Sequence, residues 1–491
     1  MAREWSSYQQ AVFEHIERSD RHLVVEAKPG SGKTTTSVEG VNRIPPEKRV
    51  LMCAFNKKIQ QELEERVRPG ITVRTFNSIG HHAVLRARGR VGVNSSRQRD
   101  LVRDVLPDKR LIGTAPYGDV LKIVELAMAR LAETDEDFHY IMAEYDCYPT
   151  LESYVESYIK WSREVLRRSL LPSPEISFND QIYIAAKEKL SGAKFDYVFV
   201  DEAQDCNPAQ LWLVENALAP GGKLIAVGDR RQAIYAWRGA DHHVMQNIAS
   251  KFQADVLPLS ITYRCPRSVV RLVNSIVPDL EAAPDAKTGE VSQASEKFFL
   301  ENVAPGDIVI SRTNAAIAKY SMKLMLLGKR CMVLGKDLSK GLLKLVDRGG
   351  HAYVKDLFTE LDDYEKEESE RLIAAKKESK VEELRDRIDT LKDLSEGLSS
   401  VFHLRQRIEA LFGDSANPNA VIFSTVHKAK GLEFTRVWMF ETTFSVGSLE
   451  GENLYYVAAT RAIESLYLVQ IPRKDNKPTR SIAQGWAADR G

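Results

Sequence analysis

The chain has 491 residues, and 69 Lys+Arg against 68 Asp+Glu leave a formal charge of +1, so no global basic field exists and any nucleic-acid contact must be local to a groove. A hydrophobic content of 43% supplies packed cores and excludes wholesale disorder, over a length that fits about three domains or two with large insertions. No apolar run approaches the ~18 residues of a membrane span, the opening MAREWSSYQQ lacks a signal-like apolar core, and Cys53, Cys147, Cys206, Cys265 and Cys331 are scattered with no CxxC pair, which together predict a cytoplasmic, reducing-compartment protein.

In chain order, Leu23-Val24-Val25 predicts a strand that runs into AKPGSGKTTT, with a helix from Thr34. Strands are predicted at Val50–Phe55 and Ile71–Thr75, with an amphipathic helix through Ile59, Leu63 and Val67 between them and another helix starting at Phe76–Ile79. Strands alternating with helices at this spacing indicate βαβ units and a parallel sheet. From about Ala83 to Leu190 the pattern turns helical, with Val120, Ile123, Val124, Leu126, Met128 and Leu131 at helical spacing. Sheet pattern resumes at Tyr197–Val200 and Leu224–Val227, and a second α/β set follows at Asp307–Ser311, Cys331–Leu334, Val421–Ser424, Val437–Phe440 and Leu466–Val469. Inside that set, the charge-dense stretch Tyr353 to Leu411 carries Val381, Leu384, Ile388, Leu391 and Leu398 on one helical face. It reads as a helical hairpin, either packed on the body or protruding toward a duplex or a protein partner. The tail from Pro472 is polar and irregular.

The segment Ala27 to Thr34, AKPGSGKT, follows a strand and opens a helix, the context of a P-loop. Gly30 and Gly32 let backbone N–H groups turn onto phosphate oxygens, Ser31 lies between them, and the helix N-terminus adds its positive end. Lys33 is placed to reach the β- and γ-phosphates and the Thr34 hydroxyl to hold Mg²⁺. The strict pattern has Gly where Ala27 stands. In VFVDEAQD four apolar strand residues end at Asp201-Glu202, so both carboxylates fall at a strand's carboxyl end, where α/β sheets bind ligands. Asp201 is expected to hold Mg²⁺ through water and Glu202 to orient or deprotonate the attacking water.

With these motifs in hand, the sequence resembles a superfamily 1A helicase of the UvrD/Rep/PcrA type. Ser6-Ser7-Tyr8-Gln9 resembles the Q motif, AKPGSGKT motif I, CAFNKK (Cys53–Lys58) motif Ia, TFNSIG (Thr75–Gly80) motif Ib and DEAQD motif II. VGDRRQAIYAWRGA (Val227–Ala240) is similar to motif III, ITYRCP (Ile261–Pro266) to motif IV, TVHKAKGLEF (Thr425–Phe434) to motif V and YVAATRA (Tyr456–Ala462) to motif VI. The resemblance implies that Gln9, or failing it Gln10, reads adenine, that Tyr263 stacks on it and that Glu433 hydrogen-bonds the ribose. It also implies that Gln232 senses the γ-phosphate and that Arg264 and Arg461 act as arginine fingers, a role suited to a planar, permanent charge, with ATP in a cleft between two α/β domains.

Nucleic acid is implied by aromatics beside polar and basic residues, since single strands are gripped by stacking and backbone charge. Tyr235 and Trp237 alternate in IYAWRGA and would point the same way in an extended segment, with Arg238 near for phosphate. Phe55, Thr75, Phe76, Asn77, Thr425 and His427 are further candidates, with core packing the alternative for each aromatic. The arginine-rich Leu85–Arg99 is either a phosphate contact or a solvated loop.

Thr35 stands where many members of the family carry Arg, which predicts one missing phosphate contact; motif Ia reads Phe55-Asn56-Lys57-Lys58 where F-T-N-K is usual, and Asn77 replaces a frequent His. The expected fold is α/β, two RecA-like parallel-sheet motor domains in tandem, each with a mainly helical insertion. Residues 1–82 and 191–258 form domain 1A, 83–190 insertion 1B, 259–340 and 418–471 domain 2A, 341–417 a short 2B-like insertion and 472–491 the tail. The resemblance implies an ATP- and Mg²⁺-dependent DNA helicase moving 3′ to 5′ on single strands and at single/double-strand junctions; the sequence leaves the oligomeric state open and is compatible with a monomer. Because the second insertion is short, a translocase that displaces proteins without efficient unwinding is the nearest alternative. An RNA-directed helicase, or an ATP-switched assembly factor docking through 353–411, are the others.

Overall fold

The computed structural model describes residues 4–112, 115–145, 147–149, 151–234, 243–334, 336–374, 378–411, 419–444 and 447–472. The predicted tail beyond Pro472 lies outside them. The chain divides into two compact units, one formed by residues up to Ser260 and the other by those from Ile261 onward, each built on its own six-stranded, all-parallel sheet.

In the first unit the strands are β1 (Leu23–Ala27), β2 (Val50–Ala54), β3 (Thr72–Thr75), β4 (Phe195–Val200), β5 (Leu218–Gly228) and β6 (Asp255–Leu259), in the order β3-β2-β4-β5-β1-β6. Successive residues of one strand face opposite layers, as a pleated strand requires. Val24, Leu51, Cys53, Val198, Val200, Leu224 and Ala226 join one buried layer. Leu23, Val25, Ala27, Val50, Met52, Ala54, Phe199, Ile225 and Val227 join the other. Both faces are therefore covered, as a parallel sheet demands.

Between β3 and β4 the chain is mainly helical, and a short parallel pair, Gly92–Val93 with Glu175–Ile176, joins its ends. Helices Arg97–Val105, Ala115–Arg130, Asp135–Glu144 and Val155–Leu170 bury a separate core around Val102, Ile123, Val124, Ile141, Met142 and Val165. Helices Phe76–Arg88 and Phe178–Lys187 pack closely where Gly80 meets the second helix; a Cβ there would lie 2.3 Å from the Gln181 carbonyl oxygen. The arginine-rich stretch is partly consumed in holding this region. Arg88 pairs with Glu188 and donates to the Leu170 carbonyl, and Arg97 meets the buried Asp180 at 2.5 Å.

The second unit has β7 (Glu290–Ser295), β8 (Ile308–Ser311), β9 (Cys331–Val333), β10 (Val421–Thr425), β11 (Phe434–Phe440) and β12 (Ala462–Gln470), ordered β7-β12-β11-β8-β10-β9. Its core runs without interruption into the segment between β9 and β10. Leu342, Val346, Leu357, Leu361, Leu391, Leu394, Leu404 and Ile408 share one buried cluster with Val421, Phe423, Trp438 and Phe440 of the sheet. Of the two expected placements the one packed on the body is found, but residues 353–411 hold three helices where a hairpin would have two. Four helices, Lys336–Val346, Val354–Ala374, Glu378–Leu394 and Val401–Leu411, fold as part of the unit's core. Val381, Ile388 and Leu391 are buried, whereas Leu384 is half-buried and Leu398 lies beyond its helix. Asp386 fastens the insertion further. Its carboxylate accepts from the Asn314 and Ala315 N–H groups at 3.0 and 2.9 Å and from Asn314 Nδ2 at 3.1 Å. It thereby caps helix Asn314–Leu326, whose own Thr313 makes no side-chain cap.

Candidate nucleotide site and nucleic-acid contacts

Three neighbouring strands of the first sheet end side by side, β1 into the glycine-rich loop, β4 into Asp201-Glu202 and β5 into Asp229. Gly30 (φ 70°) and Gly32 (φ 78°) take the left-handed conformation that lets the loop turn its amides inward. Ala27 is the last residue of β1, fully buried and without positive φ, so the position demands no glycine. Ser31 is 2% exposed and its Oγ has no hydrogen-bond partner among the described residues, as expected of a hydroxyl facing a ligand position.

Lys33 opens helix Lys33–Arg43 and its Nζ lies 3.3 Å from Glu202 Oε2. Burial opposes its charge, yet Glu202, Asp229 and Asp201 prevail and hold its pKa above the usual lysine value. Thr34 Oγ1 donates to Asp201 Oδ2 at 2.8 Å. Burial, together with the Glu202 charge, pushes Asp201 up to about 6 against the pull of Lys33 and Thr34. A hydroxyl and a carboxylate oxygen this close form the hard oxygen set that Mg²⁺ takes, with phosphates and water completing its shell. The residues present therefore fit the ion. Among the described residues no group of three or more His, Cys, Asp and Glu gathers to hold a metal by itself.

Glu202 has φ 53° and ψ 39°, and its Oε2 accepts from Gln204 Nε2 at 2.5 Å. Gln204, wholly buried, also accepts the Asp229 N–H at 3.0 Å through Oε1. Asp229 Oδ2 in turn accepts from Gln232 Nε2 at 2.8 Å. A continuous polar path thus runs from Lys33 through Glu202, Gln204 and Asp229 to Gln232. Gln204 was not singled out in the sequence, although it stands two residues past Glu202 within the same motif.

Gln9 completes a capping box with Ser6 and is 2% exposed. Its Nε2 donates to Thr36 Oγ1 at 3.1 Å and lies 3.4 Å from where a Cβ on Gly32 would sit. Gln10 instead donates to the Trp5 carbonyl. Thr35, in the first turn of helix Lys33–Arg43, accepts from Arg66 Nη2 at 3.0 Å.

In the second unit, Tyr263 is 49% exposed, open for stacking. The two residues expected on finger and ribose meet each other, for Arg264 Nε lies 2.6 Å from Glu433 Oε2. Arg461 is 1% exposed, with Nε on the Val457 carbonyl, Nη1 on the Leu432 carbonyl and Nη2 on Thr460 Oγ1. This arginine is engaged by its own unit.

The nucleic-acid candidates divide. Phe76 is 1% exposed and packs edge-on against Phe55 at 5.2 Å; it is a core residue, which corrects the stacking expectation. Phe55 is half-buried. Thr75 Oγ1 accepts from Ser78 N and caps helix Phe76–Arg88, and Asn77 Nδ2 donates to the Phe178 carbonyl at 2.8 Å. Asn56 caps helix Lys57–Glu64 through Ile59 N, a structural use of the departure in motif Ia. Thr425 ends β10, with His427 half-buried in the short helix after it. Tyr235, Trp237 and Arg238 lie outside the described residues. Among the described residues no helix is long and apolar enough to cross a membrane.

A glycine-rich loop, a lysine and two acidic strand ends on one parallel sheet, followed in the chain by a second parallel sheet, define tandem RecA-like domains of the P-loop class. The UvrD/REP helicase N-terminal domain matches residues 170–253 and the UvrD-like helicase C-terminal domain residues 336–472. The chain is 27% identical over 293 residues to the ATP-dependent DNA helicase PcrA of Bacillus subtilis, covering 54% of this chain and 38% of the relative. The proteins of the same name from Staphylococcus aureus (25% over 291 residues; 54% and 39%) and Leuconostoc citreum (28% over 298; 54% and 38%) are similar. Over these residues the chain is similar to helicases of the UvrD/REP and PcrA type. It spans about two fifths of the length of the curated relatives it matches.

Proposed function

We propose that the chain is an ATP- and Mg²⁺-dependent motor that translocates 3′ to 5′ on single-stranded DNA and couples hydrolysis to strand separation. The observation that carries this reading is the convergence of Lys33, Thr34, Asp201 and Glu202 at neighbouring strand ends, in a chain whose relatives are named ATP-dependent DNA helicases. In this reading Thr34 and Asp201 hold Mg²⁺, which neutralises phosphate charge when bound. Lys33 positions the β- and γ-phosphates, Glu202 orients and deprotonates the attacking water, and Gln232 senses the γ-phosphate. Gln9 and Tyr263 take the base. Arg264 and Arg461 serve as fingers once Arg264 leaves Glu433, which then takes the ribose, and Arg461 leaves its carbonyl partners. We assign 1–82 with 191–258 as domain 1A, 83–190 as 1B, 259–340 with 418–471 as 2A and 341–417 as the shortened 2B.

A second reading, a translocase that strips proteins from DNA with little unwinding, is favoured by the insertion sharing the core of the second unit. Partial duplexes with 3′ or 5′ tails, assayed beside displacement of a bound protein, separate the two. Unwinding from 3′ tails supports the helicase; displacement without unwinding supports the translocase; activity only from 5′ tails overturns the polarity. Omitting Mg²⁺ or adding excess EDTA is expected to abolish ATP turnover, and metal-independent turnover would overturn the Thr34–Asp201 assignment.

A further inference from the structure

Arg74 stands near the carboxyl end of β3, the edge strand of the first sheet, in register with Cys53 of β2. From it Ser78, His82 and Arg86 follow at four-residue spacing on helix Phe76–Arg88, where such positions share one face about 6 Å apart along the axis. Phe76, Ala83 and Val84 on the other face enter the core, while Arg74, His82 and Arg86 are exposed. Among the described residues no carboxylate pairs with any of these three, whereas Arg88 of the same helix pairs with Glu188. Partial burial first, and then the charges of Arg74 and His81, hold the His82 pKa below its usual value. Like charges gathered without a counter-ion repel one another, and a row of phosphates relieves that repulsion.

No Phe, Tyr or Trp stands in the row, so it offers unpaired bases no stacking platform and suits the backbone of a duplex, where phosphate contacts fix position. The second unit presents the opposite charge. On helix Val354–Ala374, Asp356, Asp363, Glu367 and Glu370 lie exposed on one face with no basic partner among the described residues, a face that repels phosphate. We propose that Arg74, His82 and Arg86 form a docking row for the phosphate backbone of a DNA duplex on the first unit, outside the nucleotide site. The row adds a duplex contact to the motor proposed above and does not depend on hydrolysis.

The test is fluorescence anisotropy of the full chain with a blunt-ended DNA duplex over a series of salt concentrations. Arg74→Ala with Arg86→Ala should weaken binding and reduce the slope of log affinity against log salt by about two, at roughly 0.9 per phosphate contact. Arg74→Lys with Arg86→Lys keeps both charges and should keep the wild-type slope. Arg18→Ala with Arg49→Ala, which removes two exposed arginines paired to Glu14 and Asp196 on the same unit, should keep it too. Thermal unfolding checks that each variant folds. A wild-type slope in Arg74→Ala with Arg86→Ala, an equal drop in Arg18→Ala with Arg49→Ala, or a wild-type chain that binds single strands but no blunt duplex would overturn the docking row. Failure of the motor reading shows separately, as wild-type ATP turnover that single-stranded DNA does not stimulate.

Discussion

Glu202 holds a left-handed backbone conformation that costs a non-glycine residue about 1–3 kcal/mol, and the hydrogen bond from Gln204 fixes its carboxylate. Strain retained at a carboxylate beside a half-buried lysine fits a group whose placement matters to chemistry. Glu202→Gln keeps the shape and removes the base, so steady-state phosphate release should fall roughly 10²–10⁴-fold with circular dichroism unchanged; retained hydrolysis would remove Glu202 from the mechanism. Gln204→Leu strands the Asp229 N–H inside the protein, a loss of about 1–3 kcal/mol, expected as a lower melting temperature in scanning calorimetry. An unaltered melting temperature would mean another group satisfies that amide. The loop and acidic pair were legible because phosphate binding dictates residue types at fixed local spacing. Phe76 stayed open between stacking and core, since its burial at 1% is set by neighbours distant in the chain such as Phe55, and the Arg66–Thr35 bond leaves no local pattern to read.

Among the elements, the apolar central strands were legible from composition, but β6 and β7 were missed for a shared reason. Each pairs on one side only, so half of its residues need not be apolar. DVLPL tolerates Pro258 and EVSQAS is mostly polar because an edge strand does not demand a full ladder. The spacing of the insertion left a packed and a protruding hairpin equally open, because its apolar faces pack on the second sheet and on each other, a partnership that helical spacing cannot reveal. Asp386 supplies the strongest local test of that integration. Asp386→Ala removes the cap of helix Asn314–Leu326 and should destabilise the second unit by about 1–2 kcal/mol, seen as faster amide exchange in the 314–326 helix. Asp386→Asn, which keeps an acceptor, should lose less. Unchanged exchange in Asp386→Ala would show that the helix needs no cap from the insertion.

At the scale of the whole molecule, two parallel-sheet units, one carrying the P-loop and acidic strand ends and the other Tyr263, Arg264 and Arg461, follow one another in the chain. The tandem arrangement was legible from the order of the motifs, whereas the place of the insertion in the second core was not. The near-neutral charge confines any polymer binding to local grooves, so a polymer is best identified by its effect on turnover. The most direct measurement is steady-state ATP hydrolysis by the full chain with no polymer, with single-stranded DNA and with single-stranded RNA. A motor on single-stranded DNA predicts strong stimulation by DNA alone. Equal stimulation by RNA would contradict the DNA assignment, and bound ATP with no stimulation by either polymer would contradict the motor.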